Sequence, residues 1–127
     1  MRRILPVILV ISLSSLSGCT SQPPPDTDAR VRHWIKALHE PDAKLRKEAA
    51  FKLGNLGLTD PAPVVSALTA ALKDADGPVR CEAILALVKC GPAAKGAIGE
   101  LTQSQRKDRD ARVRDFAARA LEKINER

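Results

Sequence analysis

A chain of 127 residues has room for one domain, and with 44% apolar and 28% charged side chains it carries too much apolar surface to stay disordered. One Trp, two Phe and no Tyr, against an abundance of Ala and Leu, exclude an aromatic-rich sheet core and point to an all-α fold of close-packed aliphatic helices. The formal charge of +6 falls to +4 once Arg2 and Arg3 leave with a leader, and stretches such as Arg106-Lys107-Asp108-Arg109-Asp110 alternate in sign, which blunts the field that phosphates would follow and argues against a nucleic-acid partner.

The chain opens with a short positive segment, Arg2-Arg3, followed by the mostly apolar run Ile4 to Leu16. That run has the length of a signal-peptide core, about 7–15 residues, and is well short of the ~20 needed to span a bilayer. It ends in Leu16-Ser17-Gly18-Cys19, which resembles the lipobox of bacterial lipoproteins. The resemblance implies cleavage before Cys19, a diacylglycerol thioether on its sulfur and acylation of the new amino group, for example by palmitate. Thr20 follows the cysteine, where Asp marks inner-membrane retention in many Gram-negative lipoproteins, so the resemblance implies the outer membrane. Residues 1–18 are then a signal peptide and 19–26 a lipidated, Pro-rich tether. Pro23-Pro24-Pro25 favours an extended segment at about 3.1 Å per residue, short enough to keep the domain at its membrane.

Residues 27–127 form the expected domain. Apolar periodicity predicts six helices, at 27–39, 43–56, 62–73, 78–90, 94–105 and 111–125. Asp42, Asp76 and Asp110 stand at three of their starts as N-cap candidates, and Gly57 and Gly91 close the second and fourth. Leu45-Arg46-x-x-Ala49-x-x-x-Leu53 returns as Val79-Arg80-x-x-Ala83-x-x-x-Leu87 and as Val113-Arg114-x-x-Ala117-x-x-x-Leu121, so the motif recurs at one constant step. Val31/Val65, Trp34/Leu68 and Leu38/Leu72 keep the same step in the intervening helices.

Three antiparallel helix pairs follow, each of roughly 34 residues, a length that tetratricopeptide repeats share. The Gly and Tyr that those repeats carry in their first helix are missing here; the pattern resembles HEAT repeats, particularly the short HEAT-like type first noted in phycobilin lyases. Its residues are Asp42 to Ala50, Asp76 to Ala83 and Asp110 to Ala117. The resemblance implies a right-handed α-solenoid, and in that family the recurring arginines bond to turn aspartates. Arg46, Arg80 and Arg114 therefore read as a structural ladder with Asp42, Asp76 and Asp110 on hand as partners. Two irregularities stand out. Asp28-Ala29-Arg30-Val31-Arg32 repeats Asp110 to Arg114 letter for letter, so the first helix matches the arginine type by motif and the other type by register. In the fifth helix Thr102 and Arg106 occupy the columns of Leu68 and Leu72, which predicts poor burial and a shift of frame onto Ile98 and Leu101.

No catalytic, metal or cofactor constellation emerges. His33 and His39 diverge by about 240° around one helix. Cys81 and Cys90 lie about 13 Å apart along another, too far to bridge; Cys90 sits in the core column of Leu56 and Ile124, and Cys81 in the partly exposed column of Lys47 and Asp115. A non-enzymatic interaction module at the bacterial envelope is the reading this supports, its partner another envelope protein and its membrane contact the lipid on Cys19. A phycobilin-lyase-like or other ligand-handling role is the alternative, although such proteins use longer arrays inside the cell. Partner contact is expected on the second-type helices, at Arg32, His39, Ser66, Thr69, Lys73 and Gln103, beside their buried stripe.

Overall fold

The computed structural model describes residues 25–126, so the expected leader, Cys19 and the tether as far as residue 24 lie outside the described residues. Six α-helices follow in chain order: α1 (Pro25–Ala37), α2 (Ala43–Gly54), α3 (Ala62–Ala71), α4 (Gly77–Cys90), α5 (Ile98–Lys107) and α6 (Ala111–Asn125). A 3-10 segment, Gly91–Ala97, precedes α5 and is one helical element more than the periodicity predicts. Among the described residues there is no strand, and no helix is long and apolar enough to cross a membrane.

The caps fall where the aspartates predict. Asp42 accepts from the backbone N–H of Lys44, Asp76 from that of Val79 and Asp110 from that of Arg112, at 2.9, 3.3 and 2.9 Å. Each satisfies one of the free N–H groups that every helix leaves in its first turn. Gly91 ends α4 at φ 65, a conformation that only glycine adopts cheaply. α1 begins at Pro25, ahead of the boundary the periodicity sets, because proline lacks only an N–H that the first turn leaves free anyway.

The helices pack in two layers. α2, α4 and α6 lie side by side, and α1, α3, the 3-10 segment and α5 pack against them. Ala49, Ala83 and Ala117, one per unit, are fully buried and let the arginine-bearing helices approach closely. Closest of all is Gly54, whose missing Cβ would stand 2.8 Å from the Cα of Ala86, so that α2 and α4 touch almost backbone to backbone. Leu53, Leu68, Ile84, Leu87, Leu101 and Ile124 fill the space between the layers. Fully burying a side chain of that size contributes about 1.5–3 kcal/mol.

α1 resolves its ambiguity in favour of register. Val31 and Leu38 are buried as Val65 and Leu72 are, while Arg32 is exposed rather than anchored. Around α5 the frame slips by a single position. Leu101 and Ala97 are fully buried and Ser104 nearly so, whereas Thr102 and Ile98 are half-buried. The cause is the winding of Gly91–Ala97 in the tighter 3-10 form, at about three residues per turn, which small residues such as Ala93 and Gly96 permit. Thr69 and Thr102 confirm the slip, since they correspond although they stand one position short of the repeat step. Each hydroxyl donates to a carbonyl one turn back in its own helix, Val65 and Ile98, at 2.6 and 2.8 Å.

Candidate functional site

Two sets of side chains were singled out by the sequence, and the fold treats them differently. The first is the arginine ladder. Arg46 grips Asp74 with two parallel bonds, Nε to Oδ2 at 2.8 Å and Nη2 to Oδ1 at 3.0 Å, while its Nη1 donates to the carbonyls of Glu40 and Pro41 at 2.9 Å each. Arg80 repeats this one unit on, with Asp108 at 2.9 and 2.9 Å and the carbonyls of Asp74 and Ala75 at 2.8 and 3.2 Å. Arg114 donates to the carbonyl of Asp108 at 2.7 Å. The forked guanidinium suits this role because it offers several donors in one plane, so a single side chain ties the loop before its own helix to the loop of the next unit.

The partners are therefore Asp74 and Asp108, not the expected Asp42, Asp76 and Asp110. The latter are committed to helix caps, and the loop geometry divides the labour: Oδ1 of Asp74 also accepts from the N–H of Asp76, and Oδ1 of Asp108 from that of Asp110, both at 2.9 Å. Asp74 and Asp108 are separated by one repeat step, as Asp76 and Asp110 are, so the recurring Asp-x-Asp was the available signal. The Arg80–Asp108 pair is buried, with side chains 6% and 8% exposed, and the Arg46–Asp74 pair less so, at 16% and 11%.

Burial by itself would raise the Asp74 carboxyl, but the bonds from Arg46 and the Asp76 N–H, with the charges of Arg46 and Arg80, outweigh it and hold its pKa below the ordinary value of 3.8. A depressed carboxylate contributes stability that is fully present above its unfolded-state pKa and is lost as pH falls through the folded one. Thermal melts should therefore show wild type ahead of Asp74→Asn at pH 7 and 5, with the gap closing once the pH drops below about 4. A gap that is the same at pH 3 and pH 7 would contradict the ion pair.

The second set is the polar row on α1, α3 and α5. Arg32, His39, Ser66, Lys73 and Gln103 are exposed, and Thr69 is half-buried with its hydroxyl turned into its own helix. Lys73 lies centrally. It shares one recess with His39, Leu38 and Ala71, and another with Gln103, Glu100 and Lys107. It also faces the acidic Glu100 of α5 at 3.6 Å. Ser66 and Thr69 border a separate hollow with Val65, Ala93 and Gly96. The slip in α5 puts Thr102, rather than Gln103, in the place of Thr69.

Both described cysteines are half-buried thiols, and Cys90 packs against the core. Burial raises both pKa values; at Cys81 the charge of Asp110 adds to the rise and those of Arg112 and Arg80 oppose it. Among the described residues no three His, Cys, Asp or Glu side chains group as metal ligands.

A family model for HEAT repeats matches residues 31–122, most of the chain, so the protein belongs to the HEAT-repeat family. HEAT repeats generally mediate protein–protein interaction, the use to which stacked helix pairs with an extended surface lend themselves. The sequence matches no curated protein.

Proposed function

We propose that this chain is a lipid-anchored HEAT-repeat protein of the bacterial envelope that holds another envelope protein against the face of α1, α3 and α5. The observation that carries the reading is the row of exposed polar side chains on consecutive helices of one layer, Arg32, His39, Ser66, Lys73 and Gln103, with Lys73 bordering two recesses. Charge, hydroxyl and amide are mixed there without a large apolar block, which suits a polar, reversible contact rather than an obligate one. The lipobox at Leu16 to Cys19 supports the anchoring, and the short tether restricts the partner to the same membrane or the adjacent aqueous space.

The test is capture of envelope proteins by the full chain, wild type against the double variant Arg32→Glu, Lys73→Glu. The variant should lose its partner while its melting temperature changes little, since exposed substitutions cost within about ±0.5 kcal/mol and the Lys73–Glu100 pair is largely solvated. Undiminished capture would remove the binding site from this face.

A further inference from the structure

Among the described residues the ladder runs out at both edges of the array, and the two edges are complementary. The column of Asp74 and Asp108 begins with Glu40, whose arginine would lie one unit upstream; the column of Arg46 and Arg80 ends with Arg114, whose carboxylate would lie one unit downstream. Among the described residues Glu40 forms no ion pair. Arg114 uses only Nη1, on the Asp108 carbonyl, which leaves Nε and Nη2, the two atoms that grip the carboxylate in Arg46 and Arg80, without an acceptor among the described residues.

We propose that a second copy of this chain seats its α1–α2 edge on the α5–α6 edge of the first, continuing the repeat register, so that Arg114 of one copy binds Glu40 of the next. The order of elements permits it. Among the described residues the array opens on a helix without the ladder arginine, α1, and closes on one that carries it, α6, so the alternation of the two kinds runs unbroken across the junction. An apolar gap awaits filling as well. Leu45 is 46% exposed, whereas Val79 and Val113 in the same column are fully buried by the unit before them.

A further pair of charges agrees with the register. Within the array Gly54 of one unit faces Ala86 of the next. Carried across the junction, that contact, Gly54 against Ala86 and then Val88 against Ala120 within the array, sets Glu122 opposite Lys52 of the next copy, opposite charges whose longer side chains hold the two copies further apart than the units inside the array. One juxtaposition brings no favourable pair: the Lys73–Glu100 contact, carried forward with the slip of α5 counted, sets the cationic end of α5, Arg106 and Lys107, near His33 rather than near an acid. All three side chains are exposed and can swing apart. The outer face of α6 carries a solvated Asp115–Arg119 pair that must be covered, so the contact is weak. A head-to-tail contact of this kind does not close on itself and gives open chains rather than a symmetric dimer. The inference does not depend on the proposed partner face or on the lipid.

Sedimentation equilibrium of the full chain in density-matched non-ionic detergent at low salt tests it. Wild-type mass should climb beyond the dimer as concentration rises. Arg114→Glu alone and Glu40→Arg alone should each need at least about tenfold more protein to associate. The double swap Glu40→Arg, Arg114→Glu rebuilds the pair with its charges exchanged and should associate as wild type does. Where Arg114→Glu lowers helicity, Glu122→Lys, Lys52→Glu and their combination decide by the same pattern. A wild type that stays monomeric, a mass that stops at the dimer, or a double swap no better than its singles would overturn the proposal.

Discussion

Arg80→Ala should cost about 3–5 kcal/mol of folding stability, the range for removing one partner of a buried ion pair. The Asp108 carboxylate would be left 8% exposed without its counter-ion, and the carbonyls of Asp74 and Ala75 would lose a shared donor. For a domain of this size that is a fall of roughly 15–30 °C in melting temperature. The ladder also predicts an order. Arg46→Ala should cost less, because the Arg46–Asp74 pair is more exposed, and Arg114→Ala least, because that arginine has no carboxylate to abandon among the described residues. Thermal unfolding followed by circular dichroism ranks the three. A loss at Arg114 equal to that at Arg80 would mean that the ladder contributes through the arginine stems or the backbone bonds alone.

Ala83→Asp should be comparably damaging by a different route. Ala83 is fully buried on α4, which packs against both α2 and α6. A carboxylate there would meet no free cation, since Arg80 one turn back is committed to Asp108 and to the carbonyls of Asp74 and Ala75, and full burial keeps it from water. A multi-kcal/mol loss is expected, on the order of 3 kcal/mol or more, enough to abolish cooperative melting near physiological temperature. Ala83→Ser, nearly the same size and able to donate to a carbonyl of its own helix, is the control and should remain folded. If the aspartate variant melts within a few degrees of wild type, the repeat register that puts Ala49, Ala83 and Ala117 in one buried column is wrong.

Much of this was legible in the residues. The constant repeat step, the buried alanines and the N-capping aspartates follow from periodicity and from elementary helix chemistry, and the structure places them accordingly. What escaped belongs to contacts distant in sequence. Asp74 and Asp108 repeat as plainly as Asp76 and Asp110, but which aspartate of an Asp-x-Asp reaches the arginine depends on how the loop turns, and that is fixed by a backbone N–H folding back onto Asp74 or Asp108. Gly91 announced itself as the end of α4, but α2 ends at Gly54, three residues before the expected Gly57, and Gly54 reads as one more weak helix former until α4 is set against it. The slip before α5 was foreshadowed by the polar residues at 102 and 106. Its size, a single position, comes from the tighter winding of Gly91–Ala97, which no column of apolar residues encodes. The polar row was legible as exposed positions, but neither the Lys73–Glu100 contact nor the inward turn of the Thr69 hydroxyl was.

The proposed place of the protein at the envelope rests on Cys19, and one measurement bears on it directly. Cells expressing the full chain and fed an alkyne-tagged fatty acid should yield a labelled protein in the membrane fraction. Cys19→Ser should carry no label and leave that fraction, because only the thiol can take the thioether lipid. Equal labelling of the two, or wild-type protein without label, would contradict the lipid anchor and with it an envelope partner held at the membrane surface.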